Sequence, residues 1–80
     1  MIADRIKQRR NQLGISQLTL AYAINTSPTQ ISRYERGEND PTGMVLIALT
    51  KALNTSADYL LGLVDDPTPR GQSTGLPSQK

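Results

Sequence analysis

Residues 14–37 read GISQLTLAYAINTSPTQISRYERG, and this stretch decides the fold. Its clearest signal is Ser27-Pro28-Thr29-Gln30. A Ser at the N-cap accepts a backbone N–H, and Pro at the first helical position has no N–H to leave unpaired. Gln at the third position completes a capping box. The helix opened there passes through Ile31 and Tyr34 and stops near Arg36-Gly37. Upstream, Ser16 caps a helix whose inner face is Leu20, Ala21 and Ile24. Between them Asn25-Thr26-Ser27 makes a tight turn, because Asn tolerates the left-handed backbone better than other residues with a side chain. The spacing predicts helices over 17–24 and 28–36 joined by three residues, which is a helix-turn-helix.

Outward from this pair the pattern stays helical. Ile2, Ile6 and Leu13 recur at helical spacing, and Gly14 sits where a helix ends in a left-handed residue. After the loop Asn39-Asp40-Pro41, a fourth helix opens at Thr42 or Gly43 and carries Leu46, Leu49 and Leu53 on one face. Asn54 ends it, Ser56 caps a short fifth helix, and Gly62 closes that one. From Val64 onward Pro, Gly, Ser and Thr dominate, which predicts a flexible tail or truncated linker over 64–80. The expected architecture is all-α, with five short helices in residues 1–63 and no strand-like alternation.

Composition narrows the function. The 80 residues include no Cys and no His, so thiolate nucleophiles, the commonest general base and the commonest metal ligands are missing. Seven scattered carboxylates leave no nucleophile–base constellation, so neither catalysis nor a metal or cofactor is expected. No apolar run approaches the roughly 20 residues of a membrane span, and the first residues lack a signal-peptide core. The reading is a soluble, cytoplasmic chain with no membrane partner. Charge is uneven: residues 1–37 hold six cations against two carboxylates, and residues 38–66 hold one against five. A basic half beside an acidic half fits a polyanionic partner on one side, although a solvated first helix would show the same imbalance.

The helix over 28–36 can be placed on a wheel. At about 100° per residue from Thr29, Arg36, Arg33 and Ser32 fall near 340°, 40° and 300°. Ile31 and Tyr34 fall on the opposite side. The polar face therefore holds Thr29, Ser32, Arg33 and Arg36, with Pro28 and Gln30 at its edges. In a helix-turn-helix this second helix enters the major groove with its N-terminal residues at the base edges. Pro28, Thr29, Gln30, Ser32 and Arg33 are the expected base-reading residues, with the helix cap the alternative for Gln30. Arg33 leads them, because a guanidinium can reach guanine O6 and N7 together. Ser16 and Gln17 at the start of the preceding helix, with Arg36 and Asn39 after the recognition helix, are expected at phosphates. Arg10 is a further phosphate candidate, while Arg5 and Lys7 read as solvated charges.

The chain resembles the lambdoid phage repressor and Cro family of helix-turn-helix proteins. The resemblance rests on Ile6 and Arg10, Gly14-Ile15-Ser16-Gln17, Leu20-Ala21 and Ile24. It continues through Ile31-Ser32-Arg33-Tyr34-Glu35-Arg36-Gly37 and Ala52 to Gly62, covering about residues 2–63. It departs from the family at Asn25, usually Gly, at Thr19, often Glu, and at Thr50, where a small apolar residue is typical. The resemblance implies a lambda-repressor-like domain in which Arg10 and Glu35 form a partly buried salt bridge that sets the recognition helix. It also implies a sequence-specific double-stranded DNA-binding regulator, a repressor acting as a homodimer on a palindromic operator. Tyr59, Leu60, Leu61 and Leu63 are the expected dimer contacts, with core packing the alternative for Leu60 and Leu61. A rival reading is an antitoxin-type protein that binds DNA with the same fold and a toxin with a second surface.

Overall fold

Four of the five helices among the described residues begin on a side-chain cap, and all five end on a left-handed residue. The computed structural model describes residues 1–69. The helices are α1 (Ile2–Gln12), α2 (Gln17–Ala23), α3 (Pro28–Glu35), α4 (Gly43–Ala52) and α5 (Ala57–Leu60), with no strand among the described residues. Ser16, Ser27, Thr42 and Ser56 cap α2 to α5, each side-chain oxygen accepting the backbone N–H three residues on. One orphan donor is thereby satisfied at each start. Every helix then ends alike. Gly14, Asn25, Gly37, Asn54 and Gly62 adopt positive φ, and the following N–H reaches back to the carbonyl of Arg10, Ala21, Arg33, Thr50 or Asp58. This is the Schellman termination five times over. Asn fills two of the five left-handed positions, including the turn between α2 and α3.

The core draws on all five helices. Ile6, Leu20, Ala21, Ile31, Tyr34, Leu49, Leu53, Tyr59 and Leu60 form one buried cluster, flanked by half-buried Ile2, Ile15, Ile24, Val45 and Leu46. Each fully buried aliphatic side chain contributes about 1.5–3 kcal/mol relative to exposure. α3 lies against both α1 and α2, so the element that carries the polar face is supported from two sides. Leu13, the last of the apolar series in the first helix, is the helix C-cap and is 38% exposed.

Two basic side chains of α1 tie distant segments together. Arg9 donates from Nε to Leu53 O at 2.9 Å and from Nη2 to Asn54 O at 3.1 Å, satisfying carbonyls at the end of α4. Arg5 donates to Val64 O at 2.9 Å and Asp65 Oδ1 at 3.0 Å, with its guanidinium 4.4 Å from the centre of the Tyr59 ring. Arg5 is thus a structural cation and not the solvated charge its position implied. The packed chain runs past residue 63: Val64 lies against the core, and the Thr55 hydroxyl donates to Pro67 O. The remainder of the expected tail, 70–80, lies outside the described residues.

The dimer expectation needs correction at two positions. Tyr59 and Leu60 are 1% and 0% exposed, and the Tyr59 hydroxyl donates to Gln8 Oε1 at 3.0 Å. Both are core residues and have no surface to offer a second copy. Leu61 and Leu63 are exposed at 43% and 71%. Gly62 turns the chain between them at φ +83°, and a side chain there would collide with Met1 at 2.6 Å.

Candidate nucleic-acid interface

The outer face of α3 is built from the residue pattern that buries the inner one. Ile31 and Tyr34 are 0% and 6% exposed, which turns Thr29, Arg33 and Arg36 to solvent and leaves Ser32 half-buried at the edge. Ser27 Oγ accepts Gln30 N–H at 3.1 Å, forming one half of the capping box. Among the described residues the Gln30 amide and the Arg33 guanidinium make no hydrogen bond, so both retain their full polar capacity. Arg33 is exposed, one turn beyond Thr29. Pro28 lies exposed at the first helical position, and Asn39 is exposed in the loop that follows α3.

Behind this face lies a polar clamp. Arg10 donates from Nε and Nη2 to the two Glu35 carboxylate oxygens at 2.6 and 3.1 Å. Its Nη1 donates to Ile15 O at 2.9 Å. The side chains of Arg10 and Glu35 are 12% and 3% exposed. The hydrogen bonds to Glu35 raise the Arg10 pKa above its ordinary value, against the opposing effect of burial. Gln17 adds a third partner, donating from Nε2 to Glu35 Oε1 at 3.1 Å. α1, α2 and α3 therefore converge on one carboxylate. A bidentate guanidinium–carboxylate pair fixes direction as well as distance, so the clamp sets the angle at which α3 is presented.

These bonds redefine several expected phosphate contacts. Arg10 is turned into the protein and committed to Glu35, so it no longer counts among the phosphate ligands. Gln17 has given one amide hydrogen to Glu35 and keeps the other. Ser16 Oγ accepts Thr19 N–H and donates to Thr19 Oγ1, both at 3.0 Å, so Thr19 completes the cap without a Glu. Arg36 is engaged as well: Nε and Nη2 meet Glu38 at 2.7 and 3.2 Å, and Nη1 donates to Ser32 Oγ. Arg5, Arg10 and Arg36 each meet a carboxylate, whereas Arg9 donates to neutral oxygens and keeps its charge. Sequence reasoning missed Glu38, although its place two residues after Arg36 was the available signal. No pocket and no cluster of metal-ligating side chains occurs among the described residues, and no helix there is long and apolar enough to cross a membrane.

Comparison with known proteins agrees with this fold. The chain is 44% identical over 61 residues to repressor protein C2 of Salmonella phage P22, covering 76% of this chain and 28% of that protein. It is 41% identical over 70 residues to the transcriptional regulator DicA of Escherichia coli K12, covering 85% and 52%. The chain thus spans about half or less of these two relatives. Its fold superposes with a TM-score of 0.72 on the crystal structure of the P22 c2 repressor in complex with a synthetic operator, at 43% identity over 75% of this chain and 91% of that one. The family described as helix-turn-helix matches residues 6–60. With five helices among the described residues, the paired α2 and α3 and this match over more than half its length, the chain belongs to the helix-turn-helix family of phage-repressor type.

Proposed function

We propose that the chain is a sequence-specific double-stranded DNA-binding transcription regulator that reads the major groove with α3. The observation that carries this is the exposed polar face of α3, with Arg33 at its centre and the Arg10–Glu35–Gln17 clamp behind it. A helix so held presents its side chains in one orientation, and major-groove readout requires that. Arg33 takes a guanine edge, Thr29 offers a hydroxyl and a methyl, Gln30 offers its amide, and Pro28 and Ser32 flank them. Phosphates fall to Ser16, Arg36 and Asn39, and to Gln17 through its remaining amide hydrogen. A repressor is favoured over an antitoxin, since the similar proteins carry the names repressor and transcriptional regulator.

One such domain covers only a few base pairs, so two copies bind half-sites about 10 bp apart. Leu61 and Leu63, the exposed apolar residues beside α5, supply the contact between copies. Selection from a pool of random duplex DNA tests the whole reading. An enriched palindrome with that spacing is the expected result, and a pool that shows no enrichment refutes it.

A further inference from the structure

Arg36 stands at the end of α3, where the proposed function needs a cation for phosphate, yet its guanidinium is already occupied. Glu38 meets it with both carboxylate oxygens, at 2.7 and 3.2 Å, in the planar two-bond geometry that a phosphate would adopt. Ser32 Oγ accepts from the remaining nitrogen. The two side chains are 55% and 52% exposed, so the pair lies on the surface where DNA would approach. The Glu38 carboxyl is held below the ordinary carboxylate range by the Arg36 hydrogen bond, with Arg33 adding to the attraction. The main chain brings the two together: the left-handed Gly37 and the bond from Glu38 N–H to Arg33 O at 2.9 Å fold Glu38 back toward α3.

We propose that Glu38 is a built-in competitor for phosphate, occupying Arg36 until a DNA backbone displaces it. This rests on the DNA-binding reading above and deepens it. Phosphate contacts are indifferent to sequence, so weakening one lowers binding to every duplex, while Arg33 feels Glu38 only through charge and keeps its hydrogen-bond donors for bases. Glu38 thereby holds down non-specific binding and leaves a larger share of the affinity to base readout. The competition is mild, because exposed ion pairs are weak and give way to a better partner.

The test is binding to a labelled mixed-sequence duplex of about two helical turns, titrated at several salt concentrations. Wild type, Glu38→Gln, Arg36→Ala and the double variant are compared, with melting curves verifying that each is folded. Glu38→Gln is expected to bind about two- to fivefold more tightly near 0.1 M salt. Its log–log salt slope should steepen by up to about 0.9, the share of one phosphate contact. The gain should vanish in the Arg36→Ala background, since Glu38 acts through Arg36. Unchanged or weaker binding of Glu38→Gln overturns the proposal, as does a gain that survives Arg36→Ala, which would make Glu38 a simple repulsive charge. Wild type that binds no duplex at any salt overturns the DNA-binding reading itself.

Discussion

Replacing Arg10 with Met keeps most of the side chain's length and removes its charge. Glu35, whose side chain is 3% exposed, would then retain only the Gln17 amide at 3.1 Å. Removing one partner of a buried pair costs about 3–5 kcal/mol, because the other is left as an uncompensated buried charge. Arg10 keeps 12% exposure, so water can reach the vacated edge and the low end applies, about 3 kcal/mol. A domain of this size loses about 4–8 °C of Tm per kcal/mol, so Arg10→Met should melt roughly 12–24 °C below wild type. The double variant Arg10→Met/Glu35→Leu should recover most of that loss, since an apolar pair carries no desolvation penalty. Thermal melts followed by circular dichroism, with urea titrations at one temperature, read both values. An Arg10→Met variant melting within about 4 °C of wild type would refute the claim that Glu35 depends on Arg10. So would a double variant no more stable than the single one.

Other outcomes follow from particular positions. Asn25 has φ +59°, so Asn25→Val should lose at least about 1–2 kcal/mol in urea titrations, whereas Asn25→Gly should keep full stability. Leu63 is 71% exposed, so Leu63→Asp should leave monomer stability within about 0.5 kcal/mol while abolishing cooperative binding of two copies in sedimentation with operator DNA. The Glu38 carboxyl should titrate below the ordinary range by NMR and rise toward it in Arg36→Ala. Because its folded pKa is depressed, any stability it contributes is present above the unfolded pKa and fades as pH falls through the folded one.

Local signals were legible in the sequence, and long-range bonds were not. Ser27-Pro28 placed the start of α3, the wheel separated Ile31 and Tyr34 from Arg33, and Asn25 announced its left-handed turn, all within one or two helical turns of chain. The roles of Arg5 and Arg9 depend on carbonyls more than 40 residues away, and nothing local distinguishes such cations from solvated ones. α5 spans four residues, too few for a period of 3.6 to separate Tyr59 and Leu60 from Leu61 and Leu63. A helix start points Gln17 to phosphate, but its amide also reaches a carboxylate that only the packing of α2 on α3 brings near.

The central claim, that α3 reads bases through Arg33, is tested most directly by Arg33→Ala on the selected operator, on singly substituted operators and on mixed-sequence duplex. A base-reading Arg33 predicts a loss of roughly 1–3 kcal/mol at the operator, a relaxed preference at one base pair of each half-site, and little change on mixed sequence. Equal weakening on every duplex, with the salt slope lowered by about one unit, would show Arg33 to be a phosphate ligand and contradict the account.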